Sequence, residues 1–175
     1  MEFFLDTGVI WGYCFPADNF HSCCDKFFSD HPFSEFQYYS TQKVKEELKK
    51  LRRKKLNIRD PEISKIARLV HQCVDRMWDK KIKKVSYDNR REFPQLRDYI
   101  LAIIFPLGGE IYEVQNDATI LSNAVFWSLE HSNECIFLTT DWKHILSNKS
   151  KIISQAYQVL SREIRLKING IKEFC

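Results

Sequence analysis

The sequence predicts an α/β protein built on a mainly parallel sheet, and three observations carry that expectation. An apolar run, Glu2-Phe3-Phe4-Leu5, leads straight into Asp6 and reads as a buried strand that ends on a carboxylate. A second run, Cys135-Ile136-Phe137-Leu138-Thr139, follows a clear helical pattern and stops just before Asp141. Between them, short apolar segments alternate with longer stretches of helical period, as in parallel strands joined by crossovers. The 175 residues suffice for one domain with a real core, expected to span residues 1–175.

Taken in order, residues 2–6 form the first strand, and Thr7 to Tyr13 begin a helix that Pro16 ends. Asp18 to Ser29 is helical, with Phe20, Cys23, Cys24, Phe27 and Phe28 at helical spacing. Phe36 to Ser40 is short and aromatic, which suits a second strand. Ser40 or Thr41 can cap the next helix, which runs to about Leu56. Asp60-Pro61 is a strong helix start. Ile63, Ile66, Leu69, Val70, Cys73, Val74 and Met77 keep helical spacing from there, and the helix is expected to reach Lys84. Ser86 to Phe93 is a polar connection, and Pro94 to Phe105 is a helix stopped by Pro106-Leu107-Gly108-Gly109. Asn116 to His131 is helical, Cys135 to Thr139 is a strand, and Trp142 to Leu146 is one turn. Ile152 to Arg162 adds a helix, and an edge strand is expected around Asn169-Gly170.

Composition excludes several classes. Apolar residues make up 44% and charged residues 29%, ordinary values for a water-soluble globular protein. The longest apolar run, Tyr99 to Leu107, is too short to span a bilayer, so no membrane partner is expected. No basic leader precedes the first strand. Cys14, Cys23, Cys24, Cys73, Cys135 and Cys175 share no metal-ligand spacing and are read as buried free thiols of a cytoplasmic, reducing compartment. The five histidines likewise share no ligand spacing and read as surface or packing residues.

Four carboxylates stand out. Asp6 and Asp141 follow two buried strands, where open α/β sheets hold their ligands. At about 100° per residue, Glu47 falls near the stripe of Val44, Leu48 and Leu51, whereas Glu46 points away. Asp117 lies on the face defined by Ile120, Leu121 and Ala124. Plainer roles exist for three of them: Glu47 on the surface, Asp117 at a helix N-terminus, Asp141 capping the Trp142 turn. Together, four acids at one sheet edge would repel unless hard divalent cations joined them, and Mg²⁺ or Mn²⁺ suits oxygen ligands.

In this arrangement the chain resembles the PIN-domain nucleases. Leu5-Asp6-Thr7-Gly8-Val9-Ile10, Val44-Lys45-Glu46-Glu47-Leu48, Asn116-Asp117-Ala118-Thr119-Ile120 and Leu138-Thr139-Thr140-Asp141 are similar, in order, to that family's four motifs. The resemblance implies a three-layer α/β/α fold and a metal-dependent endoribonuclease. Asp6, Glu47, Asp117 and Asp141 would then be catalytic metal ligands, with Thr7 and Thr139 assisting the cofactor, Mg²⁺ or Mn²⁺. It implies RNA as partner, and within the family a homodimer or an inhibitory antitoxin protein. It leaves open whether the role is a toxin's or lies in RNA processing or DNA maintenance. The chain departs from the family at Lys143, where many members carry a further acid, and in an enlarged helical region at about 56–113. A PIN-like scaffold that binds RNA or protein with weak catalysis is therefore the alternative.

Basic residues cluster beside the acids. Lys45, Lys49, Arg52 and Arg53 are the candidates for contacting phosphates, within a run from Lys43 to Arg59, and Lys80 to Arg91 holds a second cluster. Tyr38, Tyr39, Trp78, Trp127 and Trp142 are candidates for base stacking or for core. Asp6-Thr7-Gly8 also mimics an aspartic protease loop, but the helices argue against that all-β scaffold. Gly8 excludes an Asp-x-Asp phosphotransfer motif.

Overall fold

The computed structural model describes the backbone of residues 1–56, 61–108 and 110–175, and their side chains apart from 55, 56 and 61–64. The fold is α/β with helices on both faces of a wholly parallel sheet, a three-layer arrangement. Five strands, β1 (Glu2–Leu5), β2 (Gln37–Ser40), β3 (Ile82–Lys84), β4 (Cys135–Thr139) and β5 (Leu166–Gly170), stand in the order β3-β2-β1-β4-β5. The helices are α1 (Thr7–Cys14), α2 (His21–Asp30), α3 (Gln42–Leu56), α4 (Pro61–Lys80), α5 (Phe93–Ile104), α6 (Ile111–Glu130) and α7 (Lys149–Leu160).

This order has a direct consequence for the site. The chain starts in the middle of the sheet, moves outward through β2 to β3, then returns to build β4 and β5 on the other side of β1. Right-handed crossovers that travel in opposite directions put their helices on opposite faces. Helix α1 accordingly packs with α2, α3 and α4, while α5 packs with α6 and α7. Between β1 and β4 the direction of travel reverses, and such a switch point opens a crevice at the carboxyl ends of the strands. Leu5 pairs with Leu138, so Asp6 and Thr139 lie side by side at that crevice.

The central strands β1 and β4 are short and buried on both faces, so they read as continuous apolar runs. Phe3, Phe4, Leu5, Phe137 and Leu138 are fully buried. Aromatic packing is dense: Phe3 meets Phe27 at 5.0 Å and Tyr38 at 5.5 Å between ring centroids. Tyr38, Tyr39, Trp78 and Trp127 belong to this core, whereas Trp142 is exposed.

Several expectations need correction. Helix α4 stops at Lys80, and Ile82–Lys84 forms the third strand instead of extending the helix. A three-residue edge strand with one buried side chain leaves almost no periodic signal, and pairing with Tyr38–Ser40 decides its state. Ile66 and Leu69 face solvent, while Val70, Val74, Met77 and Trp78 carry the buried face of α4. Helix α6 begins at Ile111, five residues before the expected start. The proposed cap at Asp60, Arg59 of the basic run and Gly109 of the expected stop lie outside the described residues, as does the side chain of Ile63.

The cysteines also depart from expectation. Cys14 pairs with Cys73 and Cys23 with Cys175 as disulfides, with Cα–Cα separations of 5.5 and 4.9 Å. Only Cys24 and Cys135 are free buried thiols. The pairs join positions 59 and 152 residues apart, a proximity that spacing in the chain cannot reveal. Cysteine usage therefore gives no ground for placing the protein in a reducing compartment. Among the described residues no helix is long and apolar enough to cross a membrane.

Candidate metal centre

The four acids come together in one cavity of about 670 Å³ at the crevice between β1 and β4. Asp6, Glu47, Asp117 and Asp141 all line it, with Thr7 and Gly8 below and Lys50, Lys54, Glu113 and Asn116 around them.

Each acid is held differently. Asp6 is buried and caps α1, accepting the Thr7 amide at 2.7 Å and the Thr139 hydroxyl at 2.6 Å. Thr139 Oγ1 also accepts the Asp141 amide at 3.0 Å. One hydroxyl thereby ties the ends of β1 and β4 together. Thr7 donates its hydroxyl to Glu47, which couples α1 to α3. Asp141 accepts the His144 amide at 2.9 Å, so it does cap the following turn. Its other oxygen faces His144 Nδ1 at 3.0 Å, while His144 Nε2 lies 2.6 Å from the Gly108 carbonyl. Both ring nitrogens thus lie within hydrogen-bond distance of an oxygen, which fixes the ring beside Asp141.

Asp117 stands apart. It is the seventh residue of α6, beyond the reach of the unpaired amides of the first turn, so the cap explanation fails. Among the described residues no hydrogen-bond donor or cation contacts its carboxylate. Burial, and after it the neighbouring charges of Asp6, Glu47 and Asp141, pushes its pKa up to about 9. Asp6 is pushed up to about 7, chiefly by burial, with Glu47 and Asp141 adding repulsion. Burial raises Glu47 as well, against the opposing pull of Thr7, Asn116 and Lys50.

These donors fit a hard divalent cation. They are carboxylate oxygens gathered from four separate segments and crowded enough to repel one another. Oxygens of Asp117 and Asp141 and a ring nitrogen of His144 already lie within 4.8 Å of one another. His144 was missed among five histidines of similar appearance; its position three residues after Asp141, across one turn, was the available signal.

The basic residues sort differently from expectation. Lys45 pairs with Asp79 at 3.6 Å and lies over Trp78, and Arg52 pairs with Asp75 at 2.9 Å. Both are turned toward α4 and do not face the cavity. Lys49 and Arg53 are exposed and do not line it either. Lys50 and Lys54 do, because they follow Glu47 by three and seven residues on one helical stripe. The same arithmetic that selects Glu47 selects them. Lys143 is exposed, near Gly108, and does not enter the cavity.

Gly8 explains how closely α1 meets the end of β4. A Cβ there would overlap Thr140 Oγ1 and lie 3.2 Å from Thr140 Cβ. The Gly8→Ala change should therefore destabilise by about 1–2 kcal/mol despite alanine's better helix propensity. Displacing the Thr140-Asp141 segment should also weaken Mn²⁺ binding. Thermal melts with and without Mn²⁺ check both effects.

Comparison with known proteins found no matching family model, no similar curated protein and no matching solved structure.

Proposed function

We propose that this protein is a divalent-metal-dependent endoribonuclease of the PIN-like kind. The observation that carries the reading is the meeting of Asp6, Glu47, Asp117 and Asp141 in one cavity, with Asp117 half-buried and without a hydrogen-bond partner among the described residues. Carboxylates that raise one another's pKa in a cleft are a mark of function, since a merely structural cluster would be paired. The ordered motif resemblance supports the same reading.

Asp117 and Asp141 would hold the ion, with Asp6 and Glu47 completing the acidic wall. Bound there, Mg²⁺ or Mn²⁺ would supply Lewis acidity, making the attacking water more acidic and offsetting charge on the phosphate. The chain's own residues then position. Thr139 keeps Asp6 and the Asp141 backbone in register, Thr7 aims Glu47, and His144 orients Asp141. Lys50 and Lys54 would meet the phosphates on either side of the scissile one. Water adds to phosphorus and gives up a proton to solvent, the bond to the leaving 3′ oxygen breaks, and that oxygen takes up a proton to become the 3′ hydroxyl. No protein nucleophile is required.

Incubation of the full chain with mixed-sequence RNA and Mn²⁺ or Mg²⁺ should yield discrete shortened products, and chelation should abolish them. RNA that is bound but left intact across diverse sequences would defeat the nuclease reading and favour the scaffold alternative.

A further inference from the structure

Two large exposed aromatic side chains belong to the cavity's lining or directly follow a residue that lines it. Tyr112, in the first turn of α6, lines the cavity and is 72% exposed. Trp142, directly after Asp141, is 74% exposed, whereas Trp11, Trp78 and Trp127 are buried. Neither ring packs against another described ring. In a chain that packs its aromatics so densely, two such rings left in water next to the acids are unusual, because each offers 150–250 Å² of burial, roughly, that folding forgoes.

Cations share the cavity with Tyr112. Lys50 and Lys54 line it from α3, together with the acids. Cation, carboxylate cluster and free aromatic plane thus share one opening. These are the groups needed for the phosphate, the metal and the base of one nucleotide. A base inside a duplex has both faces covered by its neighbours; only an unpaired base offers a face to a tyrosine or tryptophan.

We infer that Tyr112 and Trp142 form a base-stacking subsite, which selects single-stranded nucleic acid and sets where its backbone crosses the acids. This rests on the reading of the cavity as a phosphodiester site. It adds positioning residues that lie outside the four motifs. A protein partner would instead use the wider apolar surface, including exposed Phe105 in the turn before α6.

The test uses the full chain in Ca²⁺, with a mixed-sequence single-stranded RNA 12-mer and the corresponding duplex. Because Trp142 is the exposed indole, stacking should quench the red edge of the tryptophan emission with the single strand and not with the duplex. Tyr112→Ala and Trp142→Ala should each weaken single-strand binding by about 5- to 150-fold, the range for losing one base–aromatic stack. Trp142→Phe should retain most of the affinity while removing the quench, and Phe105→Ser should leave affinity unchanged. Equal binding of strand and duplex, unchanged affinity in both alanine variants, or a loss in Phe105→Ser as large as in Tyr112→Ala overturns the subsite. Quenching without Mn²⁺-dependent cleavage would leave the subsite standing and remove the nuclease reading; cleavage with no effect of either ring does the reverse.

Discussion

Asp117→Asn should abolish Mn²⁺-dependent RNA cleavage while making the metal-free protein more stable. The first effect follows from losing a charged ligand whose ion supplies several kcal/mol of transition-state stabilisation, so a rate loss of roughly 10³-fold or more is expected. The second follows from a half-buried carboxylate with no partner among the described residues: Asp117 is pushed up to about 9, first by desolvation and then by the charges of Asp6, Glu47 and Asp141. An amide of the same shape avoids that penalty. A gain on the order of 1–3 kcal/mol is expected, which raises the melting temperature by about 2–4 °C per kcal/mol at this size. A group whose removal costs activity and adds stability is retained for function. If the variant melts lower in chelator than the parent, the site is not strained by its own charges and the metal reading loses its physical basis.

The pH dependence has the same origin, and its sign is fixed by linkage. An acid raised above its unfolded value of about 3.9 keeps its proton in the folded state after the unfolded chain has released it. The contribution of Asp6 and Asp117 to metal-free stability is therefore greatest below about pH 4. It is lost as pH rises through about 7 for Asp6 and about 9 for Asp117. Mn²⁺ requires the deprotonated acids, so the stabilisation it gives should grow over that interval and be accompanied by proton release. Melts in chelator and in Mn²⁺ at pH 5, 7 and 9 separate the two trends, and a Mn²⁺ effect that shrinks with rising pH would contradict them.

Trp127→Ala should cost about 3–5 kcal/mol of stability. Trp127 is fully buried on α6, with ring centroids 5.5 Å from Phe4, 5.1 Å from Tyr39 and 5.1 Å from His131. It anchors α6 to β1 and β2, and α6 carries Asp117 to the cavity. Truncation leaves a large void between sheet and helix that the neighbouring rings cannot fill without leaving their rotamers. Its indole nitrogen has no hydrogen-bond partner among the described residues. Trp127→Phe removes that buried donor while keeping a ring in place, so it should cost less than about 1.5 kcal/mol. Comparable losses in the two variants would show that volume is not what Trp127 supplies.

Much of this protein is decided locally. The apolar run ahead of Asp6, the helical stripe that selects Glu47 over Glu46, and the apolar face around Asp117 depend only on residue type and period. That is why the α/β class, the ends of β1 and β4 and the four acids could be read in one dimension. The tertiary structure alone decided the rest. Pairing with β2 made a strand of Ile82–Lys84, and salt bridges to α4 withdrew Lys45 and Arg52 from the cavity and left Lys50 and Lys54 in it. Contacts across 59 and 152 residues paired the cysteines. An earlier start of α6 removed the cap explanation for Asp117, and the loop at Gly108 gave His144 its role beside Asp141. The division has one physical reason. Backbone period and side-chain polarity act over a few residues, whereas pairing partners, charge neighbours and exposure depend on which distant segments the sheet order brings together.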